Sequence, residues 1–262
     1  MLNTVVWGNG EPALFVHGSM SWSTDAFSEQ RPLADHYRLT LVDRRGYGES
    51  PPTPASDFEV DAQDIAELLR ESAHLVGEGY GAIACLIAAG LRPGSVRSLT
   101  VIEPPAFELL RGDELIEQVI ENQRRAYSQT TPEDFLQTYL GTYPDEPLPG
   151  FSLTRQEVAA IRTTMTERPP WEARLPLAAL ATARFPKLVA SGDWATRFPQ
   201  RRGTLGRAYN LVCDALAERI GAERVVFKNA AQNPQIENPQ AFNASLRALW
   251  ETARQSGAGV VR

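Results

Sequence analysis

The chain is poor in the side chains that most often carry chemistry. It has three histidines, His17, His36 and His74, so everything after residue 74 lacks an imidazole. It has two cysteines, Cys85 and Cys213, both on segments that read as helices. That number cannot build a disulfide framework, and it predicts buried, reduced thiols in a cytoplasmic protein, with no metal site. Long apolar runs are absent. The longest, around 82–89, falls short of the roughly 20 residues needed to cross a bilayer, so no membrane association is expected. Residues 1–10 show no basic start followed by an apolar stretch, which predicts no secretory leader. Positive charge is in deficit: 26 Lys and Arg face 32 Asp and Glu, a net charge of −6 that argues against nucleic acid as a partner. There are no repeats or low-complexity blocks, no cofactor is expected, and nothing specifies an oligomeric state.

What is present is an ordinary globular composition, 43% hydrophobic and 22% charged, suited to one domain with a large core. Short β-rich runs at 12–17, 39–42, 73–76, 99–102, 186–191 and 224–227 alternate with helical patterns. That alternation predicts an α/β fold with a mostly parallel sheet covered on both faces. One of the helical patterns is 61–69. Between about 107 and 183 the strand signal disappears. Leu115–Tyr127, Pro132–Tyr139 and Thr154–Thr166 read as helices, with Pro- and Gly-rich breaks at 143–150 and 168–170.

The most informative stretch is His74-Leu75-Val76-Gly77-Glu78-Gly79-Tyr80-Gly81. It has the form G-x-S-x-G with glycine in place of serine. In that motif a strand enters a tight turn and then a helix, and the turn presents one side chain to a pocket. Here the strand is 73–76 and the helix is the Ala-rich run 82–90. Pro12-Ala13-Leu14-Phe15-Val16-His17-Gly18-Ser19 and Asp43-Arg44-Arg45-Gly46-Tyr47-Gly48-Glu49-Ser50 precede it. Pro186 to Asp193 and Asn229-Ala230-Ala231-Gln232-Asn233-Pro234 follow.

In order and spacing these segments resemble the α/β-hydrolase superfamily over nearly the whole length. The resemblance implies an α/β-hydrolase core of residues 1–106 and 184–262. Residues 107–183 would form an inserted helical cap enclosing a mostly apolar cavity beside residue 79. It places Gly79 at the nucleophile position, Gln232 at the histidine position and Ala195 at the usual acid position. Glu103, at the end of the strand after the elbow, occupies an alternative acid position. It also implies an oxyanion hole made by the backbone N–H groups of Ser19 and Tyr80; the other reading is that these amides only shape the turn. A nucleophile, a base and an orienting group are all needed for serine-type hydrolysis, so ordinary esterase chemistry is not expected.

Glu103 is the first candidate for an acid or base, because strand carboxyl ends are where open α/β sheets bind ligands. It is expected within reach of the pocket, near Gly79 and Gln232; the bland alternative is a relic acid bonded to backbone. Glu78 is the second, with a sideways, structurally satisfied carboxylate as its alternative. Asp43 is expected to support its own turn. His17, Trp194, Asn233, Arg168 and Trp171 are candidate substrate-binding residues, although His17 also suits a role in positioning the oxyanion loop. The stretch 194–210, with Arg197, Arg201, Arg202 and Arg207 among aromatic residues, reads as a long loop. It suits an anionic substrate, an acidic carrier protein, or simply solvent. Two functions remain open. One is a non-hydrolytic lyase, isomerase or cyclase acting on a carbonyl-containing small molecule. The other is a receptor-like small-molecule binder without catalysis.

Overall fold

The computed structural model describes residues 1–140, 152–194 and 204–258. Seven strands form one sheet in the order β1-β3-β2-β4-β5-β6-β7. They are β1 (Thr4–Trp7), β2 (Glu11–Val16), β3 (Tyr37–Val42), β4 (Ala73–Glu78), β5 (Val96–Ile102), β6 (Lys187–Gly192) and β7 (Glu223–Phe227). All neighbours run parallel except β1, which pairs antiparallel with β3. β1 is the strand the sequence pattern did not suggest. It is four residues long, lies at the sheet edge and keeps Val6 exposed, so it lacks the apolar run of a central parallel strand.

The period-two alternation of β2 shows why the sheet is covered on both sides. Leu14 and Val16 pack with Leu75, Leu99 and residues of helices Phe58–Leu68, Gly79–Leu91 and Leu205–Ile220. Ala13 and Phe15 point the other way, into a cluster with Leu41 of β3 and with Phe242, Leu246 and Trp250 of helix Pro239–Ala258. Trp250 stacks on buried His74 at 4.8 Å and meets Tyr37 edge-on at 4.5 Å. Cys85 and Cys213 are both free and buried.

Between β5 and β6 the chain forms helices Glu114–Tyr127, Pro132–Leu140, Arg155–Thr164 and Leu177–Thr182. The helix at 114 starts at Asp113, whose carboxylate accepts the N–H groups of Leu115 and Ile116. The helix at 155 starts with a complete Thr154–Glu157 capping box. Leu180, near the end of this insertion, packs in the sheet-face core with Leu75 and Val189. Helix Leu205–Ile220 begins inside the stretch 194–210 that the sequence pattern read as a long loop. Arg207 lies exposed on that helix. Ala195, Arg197, Arg201 and Arg202 lie outside the described residues.

Candidate functional site

The site grows from the turn between β4 and helix Gly79–Leu91. Gly79 has φ +52°, a left-handed conformation that a side chain adopts only under strain. A Cβ there would meet only the Gly18 Cα at 3.5 Å, so the space in front of the turn is open. The N–H groups of the first helical turn have no intrahelical acceptor, and Tyr80 is the second residue of this helix. Across from the turn, the loop after β2 brings its own amides. Gly18 N–H donates to Glu78 Oε2 at 2.6 Å and Met20 N–H donates to Thr164 Oγ1 at 2.8 Å. The N–H of Ser19, between them, has no acceptor among the described residues. The close approach of Glu78 depends on glycine, since a Cβ at Gly18 would lie 2.4 Å from Glu78 Oε2.

A cavity of about 30 Å³ lies at this turn. Ser19, Met20, Glu78, Gly79, Tyr80 and Pro105 line it from the core side. Gln123, Tyr127, Tyr139 and Pro170 close it from the insertion, and Tyr209 and Gln232 complete the wall. It is therefore smaller and more polar than the mostly apolar chamber expected, because tyrosine side chains fill the space between the insertion and the sheet. The Tyr139 hydroxyl is hydrogen-bonded to both Tyr209 and Gln232, and burial pushes it up to about 12.

Among the described residues Glu78 is the only carboxylate in the wall. Burial pushes its pKa up to about 7, against the lowering effects of the Gly18 N–H and Arg44. It is among the residues that line the cavity, and its Oε2 is occupied by the Gly18 N–H.

Glu103 is placed differently from expectation. It is fully buried, with φ +45°, and is not in the cavity wall; its neighbour Pro105 is. Its Oε1 accepts the N–H of Gly192 at 2.9 Å and Trp194 Nε1–H at 3.1 Å, while Oε2 has no partner among the described residues. Burial raises its pKa to about 8. Trp194 thus ties β6 to the end of β5 and stacks on Tyr209; it too stands outside the wall.

The other candidates sit in supporting positions. His17 Nε2 accepts Arg44 N–H at 3.0 Å, which places the ring proton on Nδ1, facing Gly18 O at 2.8 Å. Burial and the Arg44 charge depress its pKa to about 3. It shapes the loop and does not reach the cavity. Arg168 pairs with Asp57, Glu59 and Glu172, so its charge is directed away from the site. Trp171 is buried edge-on against Tyr127, and Asn233 precedes the short helix Pro234–Glu237; neither lines the cavity. Asp43 accepts the N–H groups of Ser23 and Glu49 and the Asn3 amide, holding its own turn as expected.

Beneath the cavity, fully buried Arg44 pairs with Asp61 at 2.8 Å and Glu167 at 2.6 Å, and donates to the carbonyls of His17 and Gly18. Glu167, from the insertion, also accepts the hydroxyls of Ser19 at 2.7 Å, Tyr47 at 2.7 Å and Tyr127 at 3.4 Å. Sequence reasoning missed Gln123, Tyr127 and Tyr139. One signal was available. Gln123 is a carboxamide on the helical stripe of Ile116, Val119 and Ile120, where an apolar residue belongs.

The alpha/beta hydrolase family model matches residues 13–245. The chain belongs to the alpha/beta hydrolase family. A pimeloyl-[acyl-carrier protein] methyl ester esterase of Aeromonas salmonicida (strain A449) is 29% identical over 253 residues, spanning 92% of this chain and 96% of the relative. The same-named enzyme of Methylococcus capsulatus is 29% identical over 185 residues, 69% of this chain and 70% of that one. Among solved structures, MenH from S. aureus superposes with a TM-score of 0.72 at 14% identity, covering 97% of this chain and all (100%) of the other. A thermophilic esterase from Thermogutta terrifontis gives 0.66 at 21% identity, covering 96% and 93%. These structural likenesses establish the fold. Among the described residues no helix is long and apolar enough to cross a membrane.

Proposed function

We propose that this family member is a non-hydrolytic catalyst of the lyase, isomerase or cyclase type. It acts on a carbonyl-containing small molecule by oxyanion stabilisation and proton transfer. The observation that carries the reading is the Glu78 carboxyl, in the cavity wall beside Gly79 and raised to about 7. Gly79 has no nucleophilic atom, and Gln232 cannot accept a proton near neutral pH. An acid near neutrality suits general acid–base work. The Ser19 N–H and the Tyr80 N–H at the helix start suit a developing oxyanion. A closed polar cavity excludes water while the charge develops.

Glu78 replaces Glu103 as first choice because Glu103 is held by Gly192 and Trp194 behind the wall. The pimeloyl-[acyl-carrier protein] esterases among the relatives make a carrier-bound carbonyl compound one form the substrate takes in this proposal. One observation favours the second reading, a non-catalytic binder: the hydroxyls of Tyr139 and Tyr209 and the Gln232 carboxamide are joined across the cavity, as in a pocket made for a snug polar ligand.

A panel of β-dicarbonyl and α-substituted carbonyl compounds in heavy water separates the two. Proton NMR should show α-proton exchange with wild type that is lost in Glu78→Gln. Saturable binding with no exchange and no product supports the binder and overturns catalysis.

A further inference from the structure

The hydrogen-bond inventory of the cavity constrains its ligand. A hydroxyl has one proton to donate. Ser19 gives its proton to Glu167 Oε2, Tyr127 gives its proton to the same oxygen, and Tyr80 gives its proton to the Arg168 carbonyl. Toward a ligand these three oxygens can only accept. Two loop amides are also committed, Gly18 to Glu78 and Met20 to Thr164. The wall adds the Glu78 carboxyl, and among the described residues it contains no Lys, Arg or His. Arg44, which donates to the Gly18 carbonyl behind the wall, is balanced by two carboxylates, Asp61 and Glu167, both within 2.8 Å. The free volume, about 30 Å³, is at least twice the roughly 10–15 Å³ that one water needs and admits one small head group.

We infer that the cavity takes a compact ammonium group, so that the substrate is an amino-carbonyl compound whose N–H donors face Glu78 and the Ser19 and Tyr127 oxygens. This deepens the proposed function and rests on it for the carbonyl half: the unpaired Ser19 and helix-start N–H groups receive the carbonyl oxygen, and the acceptor-only hydroxyls receive the amine. At the amine end of the cavity a carboxylate or phosphate would instead bring its oxygens against the Glu78 carboxyl and the Ser19 and Tyr127 oxygens.

The test needs no turnover. Full-length protein is titrated with n-propylammonium, n-propanol and propionate while the Gly18, Ser19 and Gly79 amide resonances are followed. Propylammonium should bind about tenfold more tightly than either other probe, a fraction of the direct Coulomb attraction at short range. Glu78→Gln should erase the preference, and Gln123→Glu, which adds a second carboxylate from the insertion, should increase it. Propionate binding as tightly, an ammonium preference unchanged by both substitutions, or no probe shifting these amides would overturn the inference. Glu78-dependent proton exchange surviving such a result would leave the proposed function standing. Ammonium selectivity without any exchange would instead sink the catalytic reading.

Discussion

The Glu78 carboxylate accepts the backbone N–H of Gly18 across 2.6 Å, joining the elbow to the loop that follows β2. The two halves of the candidate oxyanion hole are thereby held by the side chain proposed to move the proton. Protonation of Glu78 and the position of the Ser19 amide are consequently coupled, which separates this site from one in which the elbow residue attacks.

Hydrolysis of p-nitrophenyl esters should be negligible, with no burst of released phenolate. Gly79→Ser alone should not restore it. The new Cβ has room, 3.5 Å from its nearest contact, but is strained by the φ of +52°; even in a folded variant Gln232 cannot take the proton. Gly79→Ser combined with Gln232→His should hydrolyse more than either single variant. A wild-type burst in stopped-flow absorbance would contradict the account.

Arg44 should be the most damaging polar position. Replacing it with Met leaves Asp61 and Glu167 buried without a counter-charge, expected to cost about 3–5 kcal/mol. Arg44→Lys should also destabilise, since one ammonium cannot span the five partners of the guanidinium fork. Urea denaturation checks both.

Stability should fall as pH rises from about 6.5 to 8. Glu78 and Glu103 have folded pKa values raised to about 7 and about 8 from 4.5. Between the unfolded and folded values the native state holds more protons, so each rise in pH favours unfolding. His17 and His74, depressed to about 3 and about 4 from 6.5, act with the opposite sign, but only below 6.5. Thermal melts in this window should show a declining Tm, with a shallower decline in Glu103→Gln.

The insertion should govern the loop that carries the Ser19 amide. Glu167 and Thr164 hold Ser19 and Met20, so Glu167→Gln with Thr164→Val should speed amide exchange across 18–20. Losing about 1–2 kcal/mol of such bonds corresponds to roughly tenfold. Hydrogen-exchange mass spectrometry would read it, and unchanged protection would show that the core alone shapes the loop.

The fold was legible because strand runs such as 39–42 and 99–102 and the G-x-G turn at 77–79 report local backbone physics. β1 escaped because an edge strand needs no apolar run. The site was legible only as far as its backbone: Gly79, Tyr80 and Ser19, which the family resemblance brought together, line one cavity. Glu103 and Glu78 exchanged importance because side-chain direction depends on tertiary neighbours, the Gly192 amide for one and the Gly18 amide for the other. Tyr139 and Gln232 are 93 positions apart in sequence, 232 minus 139, and no local pattern announces their hydrogen bond.

The central claim is that Glu78 moves the proton. Its most direct test is the single-turnover rate on a substrate found in the carbonyl panel, with Glu78→Gln and Glu103→Gln measured side by side at equal folding stability. Glu78→Gln should slow the reaction by about 10²–10⁴-fold with binding little changed, and Glu103→Gln should remain within a few-fold of wild type. An unchanged rate in Glu78→Gln, or the large loss in Glu103→Gln instead, would contradict it.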